Sequence, residues 1–572
     1  MNSKQRIRAR FVLIIFVLAA GYIIVSLYTI QITHNTTYAR KANDQYQKPA
    51  QTQFNRGLIS FQSKDGTRVA AATLGSGYLI YMNPILVTNA ATTYEALSQY
   101  LSINREAFMA QVRKNSRYEV LAERIDENAA RSVKNLQLTG VNVVPETWRV
   151  YPGGVLAAHE LGLVGEDASS TSVTGRYGLE RSYEDILARQ GSGSSVSIFA
   201  DIFAGLRDTV FGGGRAQGSI VTGIEPTVQK YLEKVLSQTE KNWHPDEIGG
   251  IVIDPQDGQV YAMSSLPTFD PNNTAAVKKI SIFSNPLVEH DYEMGSIMKP
   301  LTMAVALDTG AETPTSTYND TGTMILSGKK ISNYDGQARG TTPMQEILSQ
   351  SLNVGAATIA LKVGKDDFSR YFFNFGFADK TGIDLPNEAV GIVGNLKTGR
   401  DIEIATAAYG QGIAISPINM VRALSVLANG GYVITPHVAT EIAYTDGSKK
   451  KIESSRQGPF LSKTTIEEVT RMLVKVVDEK IAKAHPDIHW EHYSVAAKTG
   501  TAQIPDPVNG GYYADRYLHS FFGYFPAYNP KFLVFLYQVY PKGAQFASET
   551  LTDPFSEMTK FLINYYDIIP DR

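Results

Sequence analysis

YEMGSIMKPLTMAVALDTG, residues Tyr292–Gly310, is the stretch on which the reading of the chain turns. Proline usually ends a helix, because it lacks an N–H and restricts the residue before it. Here Pro300 stands at the mouth of an apolar run, with Leu301, Ala304, Val305 and Leu307 at helical spacing and Gly310 as the stop. The pattern predicts a helix whose first turn carries Ser296 and Lys299. Residues three apart share a helix face, so hydroxyl and amine point the same way, close enough to exchange a proton. That arrangement suits a nucleophile and its base. The spacing alone carries little information, since Ser327/Lys330 and Ser448/Lys451 repeat it within SGKK and GSKKK, which read as solvated turns.

The chain has 572 residues, 43% of them hydrophobic, which leaves room for several domains and a large core. A formal net charge of −2 gives no electrostatic case for nucleic acid. Cysteine is absent, which removes disulfides, thiol catalysis and cysteine-ligated zinc together. No HExxH spacing occurs, and His159 in AAHELG lacks a second ligand at helical distance, so neither metal nor cofactor is expected. At the N-terminus Lys4, Arg6, Arg8 and Arg10 precede an uncharged run from Phe11 to Ile30. About twenty apolar residues suffice to span a bilayer. Residues 1–10 are therefore expected to be a cytoplasmic tail and 11–30 a transmembrane anchor, with the body of the chain outside. LAAG at Leu18–Gly21 offers the competing reading of a cleaved signal peptide. The apolar run continues through Tyr22, Ile23, Ile24, Val25 and Leu27, past any such cut, which favours the uncleaved anchor. No cysteine follows LAAG, so lipid attachment there is excluded.

Residues 31–217 mix short strands, turns and helices without a repeat, and the glycine- and serine-rich stretch Gly191–Ser219 reads as a linker bounding two modules. It contains neither GxxxxGK[ST] nor GxGxxG, which argues against a phosphate loop. In the second module, expected over residues 218–572, Val228, Tyr231, Leu232, Val235 and Leu236 mark a helix opened by Pro226. Apolar runs on either side of Asp254–Gly258 and of Pro526–Pro530 predict two hairpins, and Phe555, Met558, Phe561, Leu562 and Tyr565 predict a closing helix. Strands at both ends of the module with helices between and after them imply an antiparallel sheet covered by helices, an α+β class.

Two further motifs lie in that module. SQSLNVG sets Ser351 and Asn353 two apart, and VAAKTGTAQ sets Lys498, Thr499 and Gly500 after the β-prone Tyr493-Ser494-Val495. S-x-x-K, then serine-x-asparagine, then K-T-G is the order of the penicillin-binding and β-lactamase group. The chain resembles the class B penicillin-binding proteins, membrane-anchored D,D-transpeptidases of peptidoglycan synthesis, throughout its length. RGLIS (Arg56–Ser60), RVYPGGVLAAHELG (Arg149–Gly162) and GRYGLERSYEDIL (Gly175–Leu187) look like that family's three non-catalytic boxes. There are departures: FQSKDG after RGLIS is longer than usual, Met294 stands where proline is usual, and Ser416-Pro417-Ile418-Asn419 replaces Thr-Pro-Leu-Gln.

The resemblance implies a penicillin-binding/serine β-lactamase-like transpeptidase fold, preceded by an elongated α+β pedestal of the dimerisation type over 31–217 and by one transmembrane helix. It implies that Ser296 is acylated, with Lys299 taking its proton. Ser351 and Asn353 would relay a proton to the leaving amine and hold the substrate amide, while Lys498 and Thr499 bind the terminal carboxylate. Gly500 would leave the strand free of bulk beside a peptide, and the backbone N–H groups of Ser296 and Thr501 would form an oxyanion hole. The partners implied are peptidoglycan stem peptides and the products of lipid-linked precursors, penicillin and other β-lactams, the inner membrane, a polytopic glycosyltransferase, and the division or elongation machinery. Overall size and the EMGSIMKP box favour the division type over the elongation type. A serine β-lactamase or β-lactam sensor would share the motifs without needing the N-terminal module. A catalytically silent membrane scaffold would have no reason to keep Ser296, Lys299, Ser351, Asn353 and Lys498 together.

Overall fold

The computed structural model describes residues 54–166, 173–189, 217–485, 490 and 492–572. The expected tail and anchor, and the Gly191–Ser219 linker apart from its last three residues, lie outside these. Among the described residues no helix is long and apolar enough to cross a membrane.

Packing divides the chain into two compact units, and the division does not fall at 217. The first holds Ser76–Trp148; the second takes in Arg56–Gly75, Arg149–Arg189 and Arg215–Arg572. In the first unit, Ile80, Met82, Leu97, Leu101, Phe108 and Val133 form a small core between strands and the helices Ala90–Ser98, Arg105–Val112 and Glu127–Asn135. Each of these helices begins at a side chain that caps it, Asn89, Asn104 and Asp126 respectively, accepting a backbone N–H of its first turn.

The second unit draws in early segments for two physical reasons. Strand Ile59–Gln62 pairs antiparallel with the start of Arg68–Met82 and parallel with Gly218–Thr222, which pairs with Ala439–Tyr444. The three N-terminal boxes also meet at one buried carboxylate. Arg56 of the first box and Arg149 of the second both bind Glu180 of the third, the Arg149 Nε–Oε1 distance being 2.6 Å. Arg149 also donates to the Gly57 carbonyl (2.8 Å), and Arg56 reaches Glu184 (2.7 Å). Two buried cations around one buried anion form a structure that fails when its centre is removed. Glu180→Ala should therefore cost about 3–5 kcal/mol, read as a lowered midpoint in thermal or urea unfolding.

A five-stranded antiparallel sheet dominates the second unit, in the order Ala496–Pro505, Tyr512–Phe525, Phe532–Val539, Glu247–Ile253, Val260–Leu266. Both expected hairpins are present within it. Its central strands are buried on both faces. A Cβ on Gly250 would meet Leu232 of the helix Pro226–Trp243, whereas one on Gly249 would meet Leu287 on the other side. On the Gly250 face lie Pro226–Trp243 and Ala547–Tyr565, the two helices expected from sequence, with Phe521 stacked on Phe555. The opposite layer is mostly helical, and its centre is Lys299–Asp308, in which Leu301, Met303, Ala304, Val305 and Ala306 are fully buried. A helix apolar on all sides must be enclosed. Its first residue therefore brings a lysine into the core.

Candidate active site

Ser296 does not sit in the α-helix itself. Gly295–Met298 is a single 3-10 turn leading into the helix that starts at Lys299, and the Lys299 N–H donates to the Ser296 carbonyl. Side chains three apart eclipse in a 3-10 turn. The S-x-x-K spacing thus falls where it brings the two side chains closest. Pro300 follows in the first turn, where its missing N–H leaves no helical bond unmade. Gly295 has φ +64°, and its N–H donates to the Gly410 carbonyl at 3.0 Å. Gly410, at φ +80°, lies so close to the Gly295 carbonyl that no side chain fits between them.

Five of the expected residues converge on two amines. Lys299 Nζ lies 2.9 Å from Ser296 Oγ, 3.1 Å from Ser351 Oγ, 2.6 Å from the Ser351 carbonyl oxygen and 2.8 Å from Asn353 Oδ1. Lys498 Nζ lies 3.1 Å from the same Ser351 Oγ and 2.9 Å from the Thr499 carbonyl. Ser351 is held at φ +56°, a left-handed conformation costly for a residue with a Cβ, and this turns its hydroxyl and carbonyl toward Lys299. Asn353 Nδ2 donates to the Ser332 carbonyl at 3.0 Å, which fixes the amide so that its oxygen faces the amine.

Both lysines are buried, and among the described residues their amines meet hydroxyl, carbonyl and amide oxygens and no carboxylate. Lys299 is 0% exposed, and burial, with the neighbouring Lys498 charge second, holds its pKa well below the ordinary lysine value. Burial brings Lys498 down to about 7. A neutral Lys299 fits its surroundings. The carbonyl oxygens of Ser351 and Asn353 can only accept, so they take its two N–H donors, and the lone pair is left for the Ser296 or Ser351 hydroxyl.

The K-T-G segment lies on the strand Ala496–Pro505, at the edge of the sheet. Strand alternation puts Lys498 and Gly500 on one face and Thr499 and Thr501 on the other. The expected reason for Gly500, room for a peptide, is not the one found here. A Cβ there would collide with Ser520 Oγ, lie 2.8 Å from the Met294 carbonyl and press on Ile297. The glycine lets the edge strand abut the turn that carries Ser296, and Ser520 Oγ, donating to the Met294 carbonyl at 2.8 Å, fastens the contact. Gly500→Ala should push the two apart and lower the rate of β-lactam acylation by at least about tenfold, measured by stopped-flow labelling, because a small misplacement of reacting groups is costly. The Thr501 backbone lies against Gly295, and Thr501 Oγ1 accepts the Ala547 N–H at 3.0 Å. Gly410, Ser520 and Ser332 were missed in the sequence. Each acts through a backbone contact with a distant segment and carries no motif.

The family model described as penicillin binding protein transpeptidase domain matches residues 248–557, and that described as penicillin-binding protein dimerisation domain matches 55–199. Stage V sporulation protein D of Bacillus subtilis (strain 168) is 29% identical over 560 residues, covering 95% of this chain and 83% of the relative. Peptidoglycan D,D-transpeptidase FtsI of Buchnera aphidicola subsp. Schizaphis graminum is 26% identical over 502 residues, 86% of this chain and 84% of its own. Among solved structures, penicillin binding protein 2X from Streptococcus thermophilus superposes with a TM-score of 0.72 at 21% identity, covering 90% of this chain and 80% of that one. A likeness at that identity establishes the fold.

Proposed function

Since the chain belongs to the penicillin-binding protein transpeptidase family, we propose that it is a peptidoglycan D,D-transpeptidase working through an acyl-enzyme on Ser296. The observation that carries the site assignment is the Lys299 amine, enclosed and low in pKa, with Ser296 Oγ at 2.9 Å. Ser296 Oγ attacks the carbonyl carbon of the penultimate D-alanine of a stem peptide, and its proton passes to Lys299. The backbone N–H groups of Ser296 and Thr501 stabilise the oxyanion. As the tetrahedral centre collapses, the C–N bond breaks and the departing D-alanine nitrogen takes a proton through Ser351, which lies within 3.1 Å of both amines. Lys498 and the hydroxyl of Thr499 receive the terminal carboxylate. An amine of a second stem peptide then attacks the ester, its surplus proton returns to Ser296 Oγ, and the cross-link is made.

Phe11–Ile30 anchors the enzyme in the cytoplasmic membrane with the catalytic unit outside, and the glycan strands come from a polytopic polymerase beside it. The role is septal, supported by overall size and the EMGSIMKP box. A β-lactam's strained amide mimics the acyl-D-alanine bond. Full-length protein treated with penicillin should carry one penicilloyl group on Ser296 that persists far longer than it takes to form, as followed by intact-mass spectrometry. Rapid penicillin turnover with no trapped adduct would make the enzyme a hydrolase instead.

A further inference from the structure

Two aromatic rings meet across the site, one from each of its walls. Tyr334 and Phe546 have centroids 5.8 Å apart at 81°, an edge-to-face contact. Tyr334 is 57% exposed, yet the loop that carries it is pinned on both sides. Before it, the Ser332 carbonyl accepts from Asn353 Nδ2 (3.0 Å), and Asn333 Oδ1 accepts the Val354 N–H (3.1 Å). After it, Asp335 binds Arg339 through two hydrogen bonds, 3.0 and 2.8 Å. That guanidinium lies over the Tyr334 ring at 5.9 Å and donates to Gln350, the neighbour of Ser351. Phe546 is fixed from the other wall. Its N–H donates to Glu549 (2.8 Å), and the next N–H, of Ala547, donates to Thr501 Oγ1 (3.0 Å), just beyond Lys498–Gly500.

Following these bonds closes a circuit. Ser296, Lys299, Asn353 and Ser332 lead to Tyr334; Phe546, Thr501, the edge strand, Lys498 and Ser351 lead back to Lys299. The one link in the circuit with neither a hydrogen bond nor a covalent bond is the contact between the rings. An exposed tyrosine braced so thoroughly holds no core together; its contact with Phe546 joins the Ser351–Asn353 side of the site, through Ser332, to the K-T-G strand, through Ala547 and Thr501.

We infer that Tyr334 and Phe546 form an aromatic clasp over the cleft that determines whether the Ser296 ester meets an amine or water. The inference rests on the transpeptidase reading above. An edge-to-face pair is weak enough to part for a peptide and apolar enough to discourage water when closed. In hydrolysis, water oxygen would bond to the ester carbon, the bond to Ser296 Oγ would break, and one water proton would go to that oxygen. The clasp slows this route relative to the same attack by an amine held on an incoming peptide.

The test uses the full chain in detergent, with Tyr334→Ala, Phe546→Ala, the double variant and Tyr334→Phe. Fluorescent penicillin reports adduct formation and lifetime; a peptide thiolester with D-alanine as acceptor reports the ratio of aminolysis to hydrolysis. Each alanine variant should shorten the adduct's life severalfold and shift the thiolester products toward hydrolysis. The double variant should do no more than either single one, because both remove the same contact. Tyr334→Phe, which keeps the ring, should rescue both readouts. Adduct lifetimes and product ratios unchanged in the alanine variants, or losses that add in the double variant, would overturn the clasp. Failure of the wild-type protein to form any adduct would overturn the transpeptidase reading itself.

Discussion

Ser296→Ala will carry no penicilloyl adduct, whereas wild-type protein under the same conditions will gain one drug mass. The expectation follows from how few alternatives the site offers. Ser351 Oγ is the other hydroxyl within reach of Lys299, at 3.1 Å, but it also lies 3.1 Å from Lys498, so it faces both amines. It is also fixed by a left-handed backbone, whereas Ser296 opens a helix whose entry turn abuts Thr501. On the mechanism proposed above Ser296 combines the base with the backbone N–H groups that stabilise the oxyanion, so the loss should be complete within the sensitivity of intact-mass analysis. The alanine side chain fits the same 3-10 turn, and the variant should melt within about 1 kcal/mol of wild type, as small changes at semi-enclosed positions commonly do. Labelling that survives in Ser296→Ala would transfer the nucleophile's role to another residue.

The reach of the sequence can be traced through particular residues. The Ser296/Lys299 pair, both sheet hairpins and the helices at either end of the module were legible because each depends on local chemistry: a period, a turn residue, a motif. The Ser327/Lys330 and Ser448/Lys451 copies were separable for the same reason. Lys330 and Lys451 are exposed, on short strands beside turns at Gly328 and Gly447. The three N-terminal boxes were recognisable, but not the reason for them. That Arg56 and Arg149 share Glu180 is a long-range fact, and so is the pairing of Ile59–Gln62 with Gly218–Thr222, which draws early segments into the second unit. Gly410 is a glycine among many until Gly295 is seen against it. Tyr334 reads as an ordinary loop residue until its ring is found beside Phe546.

The base produces the second large effect, and here burial makes the prediction sharp. Lys299→Arg keeps a cation at the same place but one that cannot give up its proton, so Ser296 loses its acceptor. Penicillin acylation should fall by about 10²–10⁴-fold, the usual worth of a positioned general base. A guanidinium is bulkier than an amine and Lys299 is 0% exposed, so Lys299→Met is the companion variant: neutral, similar in length, and equally without a base. Both should lose acylation, and the methionine variant should fold. In wild type the rate should fall as pH is lowered, because burial and the Lys498 charge depress the Lys299 pKa and acid refills its lone pair. Stability follows the same sign. The unfolded chain, with ordinary lysines, binds more protons than the folded one between the depressed and ordinary values, so stability rises with pH across that interval. For Lys498 the interval opens at about 7. Lys299→Met removes that residue's share of this dependence, so its unfolding midpoint should vary less between neutral and mildly alkaline pH than that of wild type. Acylation at the wild-type rate in folded Lys299→Met would assign the proton to Lys498 through Ser351, the other amine in contact with that hydroxyl.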